Sequence, residues 1–555
     1  MSDRHFAFWP RSLPRHMTIP ETSLFYNVEV SARRFPDKPY LVFYDTAIRF
    51  AEFKREAERL AGFLQKQCGV KKGDRVLLYM QNSPQFVLAY YAILRADAVV
   101  VPVNPMNLVN ELRHYVKDAG AATLFASQEL YPQVKPLIGN GQDQGLQHVV
   151  VAAYSDYLKQ PTDLRVPEFV AAPRQAINDA GVTLWADALV QDNEPGPHTA
   201  GPDDLCVMPY TSGTTGHPKG CMHTHRSVMH TLVAGAQWFG INQDATMLAV
   251  LPFFHVTGMQ GSMNGPLFSG NTVVLQPRWD REVAAQLIQR YRVTAWTSIP
   301  TMIIDFLMNP KLAEYDLSSI FRMSGGGAAM PEAIAQRLLD MGITYVEGYG
   351  LSETIAPTHI NPPERPKKQC LGIPIFDTEA RVVDMDSFRE LPPGEVGEIV
   401  VSGPQVFLGY WNNPQATAAA FVDLGGKRFF RTGDLGMTDE DGYFFIVDRL
   451  KRMINASGYK VWPAEVEALM YQNPVIQEAC IIGAKDAHRG ETVKAIVVLK
   501  EASRGKVSEQ DVIDWASKNM AAYKYPRIVE FVDALPKSAT GKVMWRALQE
   551  KEAAR

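Results

Sequence analysis

Tyr210-Thr211-Ser212-Gly213-Thr214-Thr215-Gly216-His217-Pro218-Lys219-Gly220 gathers five hydroxyl-bearing residues, three glycines and one lysine in eleven positions. No packed helix or strand favours that mixture. Glycines let backbone approach a ligand closely, hydroxyls donate hydrogen bonds to phosphate oxygens, and a lysine adds a point charge. A plain Ser/Gly surface loop would share this composition, but the flanks argue against one. Met208 precedes the loop like the end of a strand, and His223-Thr224-His225-Arg226-Ser227 follows like the start of a helix. The Gly-Lys-Ser/Thr of a Walker A loop is missing, which sets the stretch apart from ordinary P-loop NTPases.

The chain around it has 555 residues, too many for one hydrophobic core, so three or four compact units are expected. With 46% hydrophobic and 21% charged residues it reads as a soluble globular protein. A net charge of −4 gives no reason to expect nucleic acid as a partner. Cys68, Cys206, Cys221, Cys370 and Cys480 form no C-x-x-C pair, which fits a reduced cytoplasmic setting without disulfides or structural zinc. The N-terminal apolar run is too short for a signal peptide, and nothing approaches the roughly 18 apolar residues of a membrane span. The expectation is a monomer or homodimer whose only membrane contact would be peripheral.

Outward toward the N-terminus, strands and helices alternate. Arg75–Tyr79 reads as a buried strand, and Ser83 as an N-cap with Pro84 at the first helical position. Phe86, Val87, Tyr90, Tyr91 and Leu94 form one apolar face. A strand follows at 99–103, then a helix presenting Leu108, Leu112, Tyr115 and Val116, then a strand at 122–125. Such repetition predicts parallel sheets covered by helices. Residues 136–203, rich in Gly, Gln, Asp and Pro, read as surface connections.

Toward the C-terminus, residues 247–277 contain no Asp, Glu, Lys or Arg, while Gly258, Gly261, Gly265 and Gly270 recur. This reads as a buried strand pair, as room for an apolar ligand, or as both. Met323-Ser324-Gly325-Gly326-Gly327-Ala328-Ala329-Met330-Pro331 ends an apolar strand in glycines that would suit a flat ring lying on bare backbone. Residues 394–410 read as a β-hairpin region that mostly builds structure. Asp434, in Arg431-Thr432-Gly433-Asp434-Leu435-Gly436, sits in what reads as a turn.

With these segments in view, the loop at 210–220 resembles the phosphate-binding loop of the AMP-forming acyl-CoA synthetases, within the adenylate-forming superfamily. The resemblance covers nearly the whole chain, with five motifs in the family's order. It implies that Thr211, Ser212, Gly213, Thr214, Thr215, Gly216 and Lys219 hold the phosphates of ATP, and that Gly326, Gly327 and Ala328 lie against its base. Glu347-Gly348-Tyr349-Gly350-Leu351-Ser352-Glu353-Thr354 resembles the family's Tyr-Gly-x-Thr/Ser-Glu segment. It implies nucleotide contacts from Glu347, Gly348, Tyr349, Gly350 and Ser352, with Tyr349 stacked on adenine. Mg²⁺ would fall to Glu353 and Thr211. Asp434 would take the ribose hydroxyls. In Asp448-Arg449-Leu450-Lys451-Arg452, Arg449 would face the nucleotide and Lys451 would be the pivot. Lys460 stands where the family often has arginine. Lys542, in Pro536-Lys537-Ser538-Ala539-Thr540-Gly541-Lys542, would be catalytic. His255, in the aromatic segment Leu251–Val256, would sit by the acyl pocket and gate it.

The implied fold is α/β: a large N-terminal domain of packed α/β subdomains over 1–448, a hinge at 449–453, and a small mobile α+β C-terminal lid over 454–555. The implied reaction joins a carboxylic acid to coenzyme A through an acyl-adenylate, with MgATP consumed. A medium- or long-chain fatty acid is the first expectation. Alternatives are an aryl or short branched acid, a separate carrier protein in place of CoA, and a nucleotide-binding relative without turnover.

Overall fold

The computed structural model describes residues 3–139, 145–190, 193–211, 218–326, 330–449, 452–456, 459–486, 490–538 and 542–554. They form two compact units: Met1–Glu379 with Val401–Phe430, and Ala380–Val400 with Arg431–Arg555.

The first unit is built on two large sheets. In one, Leu205–Val207, Val99–Pro102, Arg75–Tyr79, Thr123–Ser127, His148–Ala152 and Val182–Leu184 run parallel, with His223–Thr224 antiparallel at one edge. In the other, Pro39–Phe43, Thr272–Leu275, Thr246–Ala249, Ala295–Ser298, Arg322–Gly325 and Thr344–Tyr349 are parallel, and short antiparallel strands close both edges. The parallel strands expected from the alternating pattern are present.

Helix Pro84–Arg95 starts as its sequence demands: the Ser83 side chain accepts from the Phe86 amide at 3.1 Å, with Pro84 at the first turn. It departs from the expected one-sided helix, because every residue from Pro84 to Leu94 is buried. Tyr91 donates to Asn264 Oδ1 at 2.7 Å, and Asn264 Nδ2 donates to the Tyr90 hydroxyl at 3.2 Å, so its outer side meets the 259–264 segment. The next helix begins at Val109; Leu108 precedes it and is exposed, while Leu112, Tyr115 and Val116 are buried. Residues 136–203 are more than surface connections. His148–Ala152 and Val182–Leu184 extend the first sheet, and Trp185 is buried against Phe125. Two short apolar runs diluted by polar neighbours hid these strands from a composition reading.

The uncharged 247–277 segment also differs from a strand pair. Its strands Thr246–Ala249 and Thr272–Leu275 are parallel neighbours, and a helical crossover over 256–269 joins them, with a π-helix at Met259–Asn264. Gly270 ends that crossover at φ +77°, where a side chain would meet the Phe35 ring. At Gly261 an added Cβ would lie 3.0 Å from Thr297 Oγ1, so the π-turn lies against the neighbouring strand.

The second unit carries a five-stranded sheet that includes Gly490–Leu499 between Ile476–Asp486 and Ile454–Ala456. Val466, Met470, Val512 and Ala516, from helices Pro463–Met470 and Glu509–Asn519, share one core with it. Trp545 and Leu548, from helix Trp545–Ala553, pack in another with Cys480, Ile482 and Ile496. Pro463 opens its helix and Ser508 caps the next by accepting from the Asp511 amide.

Candidate active site

The hydroxyl-rich loop has a fixed stem. Tyr210–Thr211 and Lys219–Gly220 form an antiparallel pair with Lys219 opposite Thr211. The Tyr210 hydroxyl donates to Asp118 Oδ2 at 2.6 Å, and His114 Nε2 donates to the Pro218 carbonyl at 2.8 Å. Ser212, Gly213, Thr214, Thr215 and Gly216 lie outside the described residues. The helix behind the stem, His225–Phe239, is capped by Thr224, whose side chain accepts from the Ser227 amide.

Residues 347–354 meet this stem. The Tyr210–Thr211 strand packs against the turn Ser352–Thr354, which brings Thr211 and Glu353 into one neighbourhood. His223 Nε2 donates to the Ser352 carbonyl at 2.7 Å. Burial lowers the pKa of His223 to about 4, so the ring is neutral near pH 7 and its Nε2–H is the donor. Glu353 is 8% exposed and its Oε1 accepts from the Tyr410 hydroxyl at 2.8 Å. The Lys219 ammonium lies 5.0 Å from the centroid of the same tyrosine ring. Sequence reasoning missed Tyr410; Gly409-Tyr410 was the available signal, read as structural only.

Glycines bring the other strand ends together. A Cβ on Gly326 would stand 2.3 Å from the Gly348 carbonyl, so these strand ends touch through backbone. Gly350 is similarly tight against Ala356 and Pro357. Gly327 and Ala328 lie outside the described residues. Glu347 Oε1 accepts from the Met330 amide at 2.9 Å and Oε2 from the Cys370 amide at 3.4 Å, so the carboxylate braces two loops. Burial raises its pKa while those amide bonds counter the rise. The Tyr349 ring is largely buried, 5.6 Å from His359. His255 stands at the start of the helical crossover, where Nδ1 accepts from the Thr257 amide at 3.3 Å. Its turn is pinned by buried Asn82, whose Nδ2 donates to Leu251 O at 2.9 Å and whose Oδ1 accepts from Phe253 N at 2.8 Å.

Within the second unit, Asp434 lies in the long strand Lys427–Thr438 rather than in a turn, fully buried and opposite Arg449 in the antiparallel register. Gly433, at φ +70°, supplies a local bend. Buried Glu398 holds this bend: Oε2 accepts from Arg431 Nε at 3.1 Å and Nη2 at 2.8 Å, and Oε1 accepts from the Gly433 amide at 3.1 Å. Neither Glu398 nor its partnership with Arg431 stood out in the sequence, because 33 residues separate them. Lys451 lies outside the described residues. Just beyond it, Arg452 forms a largely buried ion pair with Glu467, and Asp448 Oδ2 accepts from the Ala464 amide at 2.7 Å. Lys460 pairs with Asn455 in register.

Lys542 is exposed, and its backbone is bonded to Ser538. Ser538 N donates to Lys542 O at 2.8 Å, and Lys542 N donates to Ser538 Oγ at 3.3 Å. The following helix is tied to the sheet: Gln549 exchanges hydrogen bonds with Gly483, and buried Lys494 pairs with Glu552 at 2.6 Å and Glu530 at 2.7 Å.

Parallel α/β sheets, a glycine- and hydroxyl-rich loop on a fixed stem, and a buried carboxylate sharing one tyrosine with the loop's lysine are a setting suited to a nucleotide's phosphates. The profile of the AMP-binding enzyme family matches residues 28–411, and that of the AMP-binding enzyme C-terminal domain matches 465–542. The chain belongs to the AMP-binding enzyme family, and with it to the adenylate-forming acid–thiol ligases. It is 36% identical over 559 residues to a long-chain-fatty-acid–CoA ligase of Bacillus subtilis, covering 98% of this chain and 97% of that protein. It is 35% identical over 506 residues to a feruloyl-CoA synthase of an Amycolatopsis species, covering 90% and 93%. A solved Mycobacterium tuberculosis fatty acyl CoA synthetase superposes with a TM-score of 0.73 at 29% identity, covering 96% of this chain and 98% of that one. Among the described residues no helix is long and apolar enough to cross a membrane.

Proposed function

We propose that this enzyme joins a medium- or long-chain fatty acid to coenzyme A. The acid's carboxylate oxygen attacks the α-phosphorus of ATP and pyrophosphate leaves, giving an acyl-adenylate. The thiol of CoA then attacks the acyl carbon, AMP leaves and the thiol proton passes to solvent. Activation is needed because a carboxylate is a poor electrophile, and cationic groups offset charge developing on the transferring phosphoryl group. Lys219 serves the phosphates. Asp434 takes the ribose hydroxyls, since a carboxylate offers two adjacent acceptors. Lys542 bridges the incoming carboxylate and the α-phosphate.

Thr211 and Glu353 fit Mg²⁺. Both offer hard oxygen donors, and a cation that arrives with ATP needs only one or two protein carboxylates. Bound there, Mg²⁺ supplies Lewis-acid polarisation of the phosphates.

In this reading residues 1–448 carry ATP and acid, 449–453 form a hinge around Lys451, and 454–555 are a lid that delivers and withdraws Lys542. Support for the acid class comes from the charge-free 247–277 segment, whose crossover begins at His255 and runs through a π-helix, a feature frequent at functional sites. The segment itself offers no cation to a second carboxylate. The similarity to a feruloyl-CoA synthase keeps an aryl acid as the second reading. A panel of saturated, aryl and dicarboxylic acids assayed for ATP- and CoA-dependent thioester formation decides between them. Preference for a dicarboxylic acid over its monocarboxylic counterpart defeats both.

A further inference from the structure

Tyr410 touches both halves of the phosphate site. Its hydroxyl donates to Glu353 Oε1 at 2.8 Å, and its ring face carries the Lys219 ammonium at 5.0 Å. The residue is held from its backbone. Its amide donates to Thr417 Oγ1 at 2.9 Å, it bridges to Cys221, and the next amide, Trp411 N, donates to the Gly220 carbonyl at 2.8 Å. Glu353 is fastened from the same segment, its main-chain oxygen accepting from Phe407 N at 2.8 Å. A rigid segment therefore reaches the carboxylate through one side-chain contact and the lysine through another.

We infer that Tyr410 is a positioning residue for this site: its hydroxyl orients the Glu353 carboxylate for Mg²⁺, and its ring seats Lys219 beside that carboxylate. The inference rests on the reading that Glu353 is the magnesium ligand. A metal-binding carboxylate is commonly held by a second hydrogen bond, and loss of such a bond costs about 10–100-fold in metal affinity. A lysine over an aromatic face keeps its charge while losing freedom of its long side chain. A purely packing role is the rival, since the Tyr410 ring also lies 4.8 Å from Phe407.

The two roles separate in nucleotide binding with and without metal. Titration calorimetry on the full-length protein would compare ATP with excess Mg²⁺ against ATP with EDTA, for wild type, Tyr410→Phe, Tyr410→Leu and Glu353→Gln. Tyr410→Phe keeps the ring and removes only the hydroxyl. It is expected to weaken MgATP binding about 10–100-fold while metal-free ATP binds as to wild type. Tyr410→Leu also removes the seat of Lys219 and should weaken metal-free ATP as well. If Glu353→Gln loses the magnesium-dependent gain and Tyr410→Phe keeps it, the inference about Tyr410 is wrong and the reading of Glu353 stands. If Glu353→Gln keeps the gain, the reading of Glu353 fails and takes the inference with it. Equal weakening of both forms of ATP by Tyr410→Phe, or a lowered melting temperature with no metal-specific change, makes the tyrosine merely structural and overturns the proposal.

Discussion

Replacing Glu398 should destabilise the strand that carries Asp434 and, through it, weaken ATP use. The carboxylate is 1% exposed and satisfies three donors, two from the Arg431 guanidinium and one from the Gly433 amide. Glu398→Ala leaves all three without that acceptor. Removing one member of a buried ion pair costs about 3–5 kcal/mol. Arg431 keeps 29% of its side chain exposed and lies 4.8 Å over the Phe388 ring, so water and the ring recover part of the loss, and about 3 kcal/mol is the better expectation. Glu398→Gln keeps one acceptor oxygen but sets an amide N–H against a donor, a loss of about 1–3 kcal/mol. Stability should therefore fall in the order Glu, Gln, Ala. Urea denaturation followed by circular dichroism reads that order. The KM for ATP should rise in parallel, because Gly433 precedes Asp434 directly. Asp434→Ala, which removes the proposed ribose contact, should raise the KM with little change in stability. A Glu398→Ala protein within about 0.5 kcal/mol of wild type, the range of an inert surface change, would refute the buried-clamp reasoning. So would an unchanged KM for ATP in a destabilised variant, as far as Asp434 is concerned.

Three further outcomes are expected. For saturated acids, kcat/KM should climb about fourfold per added methylene, from roughly 0.8 kcal/mol of burial each, until the pocket ends; a flat profile removes the apolar-pocket argument. Lys542→Ala should lose about 10²–10³ in acid-dependent pyrophosphate release yet convert supplied acyl-adenylate and CoA normally, and equal losses in both half-reactions would show that Lys542 has another role. Burial lowers His223 and His230 to about 4, and His225 and His359 to about 3, so these rings stay neutral in the fold. Once unfolded they titrate near 6.5, so below that pH the unfolded chain binds more protons. Each then withdraws about 1.4 kcal/mol of stability per pH unit between roughly 6.5 and its folded value. Denaturant midpoints should fall between about pH 7 and about pH 5.5, and a midpoint that rises contradicts the neutral-histidine picture.

What the chain declared on its own was local. Ser83 with Pro84, Pro463 and Ser508 mark helix starts through short-range hydrogen bonds and fixed φ, and the structure places them at those starts. The order of the hydroxyl-rich loop, the 347–354 segment and the segment ending at Lys542 was legible through the family resemblance, because each motif is contiguous. Tertiary structure decided whatever depends on residues far apart in sequence. Helix Pro84–Arg95 reads as one-sided, yet it is buried all round because 259–264 covers its other side. The charge-free 247–277 stretch could not be told from a strand pair, since both its strands and its crossover are buried and apolarity carries no period there. Asp434 looked like a turn residue because it stands between glycines in the sequence, but pairing with Phe444–Arg449 keeps it in a strand. The partners Tyr410–Glu353 and Glu398–Arg431 stand 57 and 33 residues apart. A hydrogen bond across such a gap leaves no trace in local composition, because only the tertiary fold brings donor to acceptor.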